Sequence, residues 1–298
     1  MTRVSVLNTW KDVQGRGKRA MARMARRILP GTTIRLAHVE PGVSLKVNLR
    51  RHVMFWSQGL ARFEPSTVRA IRAAIREGDA VLDVGANIGF FSTLLSRWVG
   101  DGGRVLAVEP EVENRGLLRA NLDSNGCGNV TICECAIGAA PGIAEFSIDA
   151  ATGATGRLGT ELTASELAVG TGKVQVVETR VETLDSLCEV YQVTPSFIKI
   201  DIEGDEIKAL EGATRILRTA RPVIVSELSG LGGAEVIQLL SREKYRMWDL
   251  ESSQIVGPED RPFMIVAIPE EQEQGERARN IKEAIGAEST SPASFLQG

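Results

Sequence analysis

Histidine, tyrosine and cysteine are scarce in this chain, and the histidines and cysteines each remove a class of chemistry. There are two histidines, His38 and His52. Both precede the strand–helix pattern of the main body, so neither a histidine-held metal site nor a histidine base in the core is expected. The four cysteines are Cys127, Cys133, Cys135 and Cys188, and no pair has the C-x-x-C spacing of a zinc or redox site. Cys133 and Cys135 stand two apart in a strand-like run, which points both to one face. The cysteines read as small buried hydrophobes of a reducing compartment. No stretch approaches the roughly 18 continuous apolar residues of a membrane span. The N-terminus has no apolar h-region, so no secretory signal is expected and the cytoplasm is the expected compartment. A basic surplus is missing too: 35 lysines and arginines against 38 acids give −3. That argues against nucleic acid as a partner.

What is present suits one large α/β domain with an appendage, or two small domains: 298 residues, 43% hydrophobic and 24% charged. Residues 1–30 are basic, with Lys11, Arg16, Lys18, Arg19, Arg23, Arg26 and Arg27 against the single acid Asp12. Met21, Met24 and Ile28 fall among them at helical spacing. A solvated tail, or a helix packed on the domain, is the preferred reading; peripheral contact with an anionic membrane is the other. Residues 31–63 form a β-rich cap, with Thr33–Val39 and Val43–Leu49 flanking the turn Glu40-Pro41-Gly42. A helix follows, capped by Ser66 beside Pro65, with Val68, Ile71 and Ile75 on its apolar face and Gly78 at its end.

From Ala80 the pattern alternates. Strands are expected at Ala80–Val84, Arg104–Val108, Val130–Cys133, Phe197–Asp201 and Val223–Glu227. Helices are expected near Phe90–Trp98, Glu111–Ser124, Asp205–Arg218 and Ala234–Arg242. This predicts a mainly parallel sheet with helices on both faces. Two more strands, Tyr245–Leu250 and Phe263–Ile268, have no long helix between them and read as a closing antiparallel hairpin. The stretch Ala151–Gly172 is rich in Gly, Thr and Ala and reads as an exposed loop, either a lid or a connector. The main domain spans 64–269, and 270–298 reads as a poorly packed tail.

The strongest local motif is Val81-Leu82-Asp83-Val84-Gly85-Ala86-Asn87-Ile88-Gly89, an apolar strand ending in Asp-x-Gly before a helix. Ligands bind such sheets at the carboxyl ends of the strands. Its Gly-x-x-x-Gly spacing lacks the third glycine that seats a pyrophosphate, which argues against NAD. It favours a ligand with an amino acid portion, whose ammonium Asp83 would hold directly or through water. Glu109 follows Gly89 by twenty residues at the next strand end and is placed to accept both ribose hydroxyls of a nucleoside. Pro110 starts the next helix. The third strand leads into Glu134-Cys135-Ala136-Ile137, where an adenine would lie. The fourth element, Phe197-Ile198-Lys199-Ile200-Asp201-Ile202-Glu203-Gly204-Asp205, again ends in acids and glycine. A lysine and two acids there are costly to bury unless paired or used. Glu227, ending the fifth strand, faces the same cleft.

Together these residues resemble the FkbM-type methyltransferases. The resemblance rests on Asp83-Val84-Gly85-Ala86-Asn87-Ile88-Gly89, Glu109-Pro110, Asn121 with Asn125, Thr183-Leu184-Asp185-Ser186-Leu187, Lys199-Ile200-Asp201-Ile202-Glu203-Gly204 and Arg221-Pro222-Val223-Ile224-Val225-Ser226-Glu227. Phe63-Glu64-Pro65 also matches, and the likeness covers about 60–268. It implies a Rossmann-like class I methyltransferase fold with a seven-stranded sheet, S-adenosylmethionine as cofactor, and O-methylation of a sugar, glycolipid or natural-product hydroxyl. The cofactor is expected at Asp83, Gly85, Ala86, Asn87, Gly89, Glu109, Pro110, Ala136 and Asp201. The sulfonium activates its own methyl group, so the protein mainly aligns it with a substrate oxygen. Asp201 is the first candidate base, followed by Glu203 and Glu227, with Lys199 tuning their charge or holding a substrate oxygen. A metal bridging Asp201 and Glu203 is disfavoured for want of a third ligand. The rival readings are a nicotinamide-dependent oxidoreductase and a non-catalytic nucleoside-binding scaffold.

Overall fold

A computed structural model describes residues 33–49, 51–52, 63–149, 156–159, 174–228 and 232–286. The basic segment 1–30, most of the loop expected over 151–172, and residues 287–298 lie outside this set. In chain order the elements are β1 (Ile34–Glu40), β2 (Val43–Asn48), α1 (Pro65–Ala74), β3 (Ala80–Val84), α2 (Phe90–Val99), β4 (Arg104–Val108), α3 (Val112–Ser124) and β5 (Val130–Cys133). Then come β6 (Ala136–Ile137), β7 (Gly142–Asp149), β8 (Gly156–Leu158), β9 (Val174–Glu182), α4 (Leu184–Val190), β10 (Phe197–Ile200), α5 (Glu206–Glu211) and α6 (Thr214–Thr219). The described chain closes with β11 (Val223–Glu227), α7 (Gly233–Arg242), β12 (Tyr245–Asp249), β13 (Met264–Pro269), a 3-10 turn at Glu270–Gln272 and α8 (Glu276–Gly286).

The central sheet has seven strands in the order β12-β13-β11-β10-β3-β4-β5. It is mixed: β3, β4, β5, β10 and β11 pair in parallel, while β13 runs against both β11 and β12. Strand β3 stands mid-sheet. The chain leaves it toward β4 and β5, then returns to build β10 and β11 on its other side. The carboxyl end of β3 is therefore a topological switch point, where such sheets open a crevice.

Alternation along the strands divides the core. Val81, Val105, Phe197 and Val225 face α1, α2 and α8, whereas Leu82, Val84, Leu106, Ile198 and Ile200 face α4 to α7. Both strand faces are buried, so these runs read as continuously apolar. Lys199 and Asp83 interrupt that rule on the first face. They are register partners on adjacent strands, 2% and 0% exposed.

Several elements differ from the sequence expectation, each for a local reason. The helix expected over Asp205–Arg218 is broken into α5 and α6 at Gly212. A Cβ on Gly212 would lie 2.3 Å from the Gly138 carbonyl, and Asp185 of α4 caps α6 by accepting the Arg215 and Ile216 N–H groups at 2.8 and 2.9 Å. The cap of α1 is Glu64 rather than Ser66, which lies within the first turn. Residues 270–286 are not a loose tail. Ala278, Ile281 and Ile285 of α8 are buried in the core shared with α1, and Arg277 clamps Asp79 with two bonds of 2.8 Å. Each buried isoleucine contributes about 1.5–3 kcal/mol, which the Glu- and Gln-rich composition concealed. Residues 136–182 include a second sheet, ordered β6-β9-β7-β8. Gly156–Leu158, expected in the loop, is one of its strands.

The hairpin β1–β2 docks through side-chain amides. Asn121 of α3 accepts the Lys46 N–H at 2.6 Å and donates to the carbonyls of Lys46 and Ile88 at 3.2 and 2.8 Å. Asn125, one turn on, does the same for Ser44 at 3.1 and 2.9 Å. Two amides thus satisfy backbone groups on β2 as a neighbouring strand would.

Candidate active site

A cleft opens at the switch point, between the carboxyl ends of β3, β4 and β10. Gly85, Asn87, Glu109 and Asp201 line one part of it; Ala136, Phe146, Ile148 and Leu158 form an apolar wall opposite. Glu109 is 6% exposed. Its Oε2 accepts the Asn87 N–H at 2.8 Å and its Oε1 the Glu111 N–H at 2.9 Å. Burial nevertheless pushes its carboxyl up to about 7, against the pull of those bonds. The Asn114 side chain donates to the same carboxyl, which leaves it an acceptor site for a ribose hydroxyl. The apolar wall is carried by the second sheet and is fastened to the loop that follows β10. Asp205 accepts the Leu158 N–H at 2.8 Å, and Glu206 accepts the N–H groups of Ile202 and Gly204 at 3.2 and 3.1 Å. Glu206 is 2% exposed and burial raises it to about 7.

At the other end of the cleft the carboxylates crowd around one cation. Lys199 Nζ lies 3.1 Å from Asp201 Oδ2, 3.7 Å from Asp83 Oδ1 and 4.9 Å above the Phe91 ring. Burial opposes its charge, but Asp201, Asp83 and Glu64 together hold it above the ordinary lysine range. Burial works against the charge of Asp201 as well, and is outweighed by Lys199 and by a hydrogen bond from Glu227, which keep the carboxyl low. Glu227 is that bond's donor. Burial and the Asp201 charge push it up to about 11, so it keeps its proton at neutral pH. Asp83 accepts from Ser92 Oγ at 2.6 Å, and burial raises it despite Lys199.

The expected site residues separate into two groups. Gly85, Asn87, Glu109, Pro110, Ala136, Asp201 and Glu203 line the cleft. Asp83, Ala86 and Gly89 do not. Asp83 points to the opposite face of the sheet, toward Ser92 and Lys199. Ala86 is packed with Ala107 and Leu118. At Gly89, φ is 91° and a Cβ would lie 2.7 Å from a Leu118 methyl, so its glycine serves helix packing. Gly85 has a structural cause too: φ is 81°, and a Cβ would stand 1.9 Å from the Asp201 carbonyl. Lys199 and Glu227 lie behind Asp201 rather than on the cleft wall.

Three features were missed. Glu64 has its carboxyl among the Lys199–Asp201 charges, and the Phe63-Glu64-Pro65 match was the available signal. Asn114, on the cleft wall, meets His52 Nε2 at 3.4 Å. His52 itself is buried, contrary to the expectation of no histidine in the core, and burial lowers it to about 4, so it is neutral. Among the described residues, no three His, Cys, Asp or Glu side chains group to hold a metal.

The family model for the methyltransferase FkbM domain matches residues 83–247, more than half of the chain. The chain belongs to the FkbM methyltransferase family. Its cofactor is S-adenosylmethionine. The chain is 29% identical over 186 residues to the hexuronic acid methyltransferase AglP of Haloferax volcanii, across 61% of this chain and 70% of that protein. Among solved structures, the FkbM methyltransferase of Methylobacillus flagellatus is 21% identical with a TM-score of 0.41; the match covers 64% of this chain and 43% of that one. An O-methyltransferase from Bacillus cereus, solved with S-adenosylhomocysteine, is 18% identical with a TM-score of 0.39, over 68% of this chain and 78% of that one. An FkbM cofactor fits the residues present. Glu109 offers an acceptor site for a ribose hydroxyl, apolar side chains line the same cleft, and the Asp201 and Glu203 carboxyl groups at its other end can meet a sulfonium.

Proposed function

We propose that this enzyme transfers a methyl group to a hydroxyl of a sugar or sugar-like acceptor. Bound S-adenosylmethionine supplies a methyl already activated by its sulfonium. The protein's part is to hold the acceptor oxygen in line and take its proton. Asp201 is the residue for this, and its arrangement carries the reading: it lines the cleft, and Lys199 and Glu227 orient its carboxylate from behind. A carboxylate held this low is a weak base toward a free alcohol. It suffices if the proton leaves during or after methyl transfer, when the oxygen is far more acidic than any carboxylic acid. Glu203 at the cleft wall completes the acceptor edge, while from behind the protonated Glu227 donates to Asp201 and Lys199 keeps it charged. Ribose binding is assigned to Glu109, with Asn87, Gly85, Pro110 and Ala136 around the nucleoside.

The concentration of carboxyl groups favours a neutral hydroxyl over a carboxylate as acceptor, although the named relative acts on a hexuronic acid. Radiolabelled S-adenosylmethionine offered with neutral hexosides and with hexuronosides tests this. An alkali-stable methyl ether is expected. A label released by mild alkali marks an ester and would overturn the hydroxyl reading. Asp201→Asn should lower turnover at least about a hundredfold while changing S-adenosylhomocysteine affinity less than about threefold. Equal losses in both would remove Asp201 from the transfer step.

A further inference from the structure

The cofactor's α-ammonium needs an acid, and the residue expected to supply it faces the other way. Asp83 is 0% exposed, accepts a hydrogen bond from Ser92 Oγ and faces the Lys199 cation. The cleft runs from Glu109, where the ribose belongs, past Gly85 to Asp201. A ligand held at its ribose by Glu109 brings its amino acid end to Asp201. That carboxylate is already engaged by Lys199 at 3.1 Å and by the Glu227 proton.

Glu64 is the remaining carboxyl beside this pair. Its backbone is left-handed, with φ 43°, a costly conformation for a residue with a side chain. Two further non-glycine residues with positive φ, Asn87 and Glu203, line the cleft. Pro65 follows at the first helical position, and Phe63 stacks edge-on to Phe90 at 5.1 Å, so the strained residue is held from both sides. The side chain occupies a cap position yet makes no cap bond. Instead it turns to the charges of Asp201 and Lys199 and to the Thr67 hydroxyl. Its Oε2 is buried and has no hydrogen-bond partner among the described residues. A buried carboxylate oxygen without a donor is costly. Asp83 Oδ1 also lacks a hydrogen-bond donor but faces Lys199 Nζ at 3.7 Å, whereas among the described residues Glu64 Oε2 has no cation so close, so a ligand's ammonium would relieve it.

We propose that Glu64 receives the α-ammonium of S-adenosylmethionine, in place of Asp83. This rests on the cofactor and not on the identity of the acceptor, so the acceptor assays above can fail without touching it. It gives residue 64, nineteen positions before the family-matched segment, a direct role in cofactor affinity. Burial raises the Glu64 carboxyl to about 7, with Asp201 adding to the rise, and Lys199 and Thr67 opposing it. Asp83 beneath Lys199 and Glu227 beyond Asp201 are the other titratable groups of the cluster. An incoming ammonium favours the ionised form.

Calorimetry on the full chain with two probes tests this. S-Adenosylhomocysteine carries the amino acid end; 5′-methylthioadenosine shares the nucleoside but lacks it. At pH 8, Glu64→Gln should weaken S-adenosylhomocysteine about tenfold or more and leave 5′-methylthioadenosine within about twofold. Unchanged S-adenosylhomocysteine affinity, or an equal loss for both probes in a folded variant, would overturn the assignment. Should the variant not fold, the unmodified protein carries the test. Its S-adenosylhomocysteine affinity should rise from pH 6 to pH 8 relative to that of 5′-methylthioadenosine, which also meets Glu109. A flat ratio would sink the proposal.

Discussion

Gly85 and Asp201 show how one contact serves both packing and chemistry. The Gly85 backbone closes on the Asp201 carbonyl, which draws the ends of β3 and β10 together and turns Asp201 toward the cleft. Gly85→Ala should cost at least about 2 kcal/mol, combining a positive φ with overpacking. Urea denaturation would read this, and a loss below about 0.5 kcal/mol would refute the close approach. The cleft-lining acids at strand ends were legible because strand end plus acid plus glycine is a short-range pattern. Which face each side chain takes was less so. Asp83 and Val84 are neighbours pointing oppositely, and only the pairing with Lys199 decides which meets the cleft. Glu64 was recognised as part of a motif but given no role. Its meaning depends on a contact across more than 130 residues, which no local spacing reveals.

Among the elements, the seven strands of the main sheet were legible within a residue or so, because apolar runs bounded by turns mark buried strands. The second sheet was not. Its strands β7 and β9 alternate, with exposed Ile143 and Val176, and β8, which pairs with β7 alone, is three residues long. The hairpin β1–β2 was legible at its turn, but its anchorage was not, since that lies in two asparagine side chains of α3. Asn121→Ala would strip partners from Lys46 and from the Ile88 carbonyl. The expected cost is about 1–3 kcal/mol, with faster hydrogen exchange confined at first to β1 and β2. Unchanged exchange there would show that the amides do not hold the hairpin.

Over the whole molecule, raised carboxyls make stability depend on pH. Glu64, Glu109 and Glu206 are each pushed by burial from 4.5 to about 7. The folded state therefore binds more of their protons than the unfolded chain does between those values, and its stability falls as pH rises through that window. Asp201, held low, works in the opposite direction, but its contribution is complete above the ordinary carboxylate range. The melting temperature of the cofactor-free protein should decline from pH 5.5 to pH 7.5 and go on declining more gently above it, because Glu227, raised to about 11, keeps its proton in the folded state. His52, lowered to about 4, offsets one of these protons only up to the ordinary histidine range. A rising profile over that range would contradict the burial of these acids. Helix α8, the last described element, packs on α1, whose first turn presents Glu64. Arg277 and Arg76 add ion pairs to Asp79 and Glu276 on the same side. During synthesis the ribosome delivers α1 more than two hundred residues before its brace. A nascent chain thus carries every strand of the nucleotide crevice while one support of its cation-facing wall is still unmade, and premature termination before α8 would leave a domain with its motifs intact and its grip loosened.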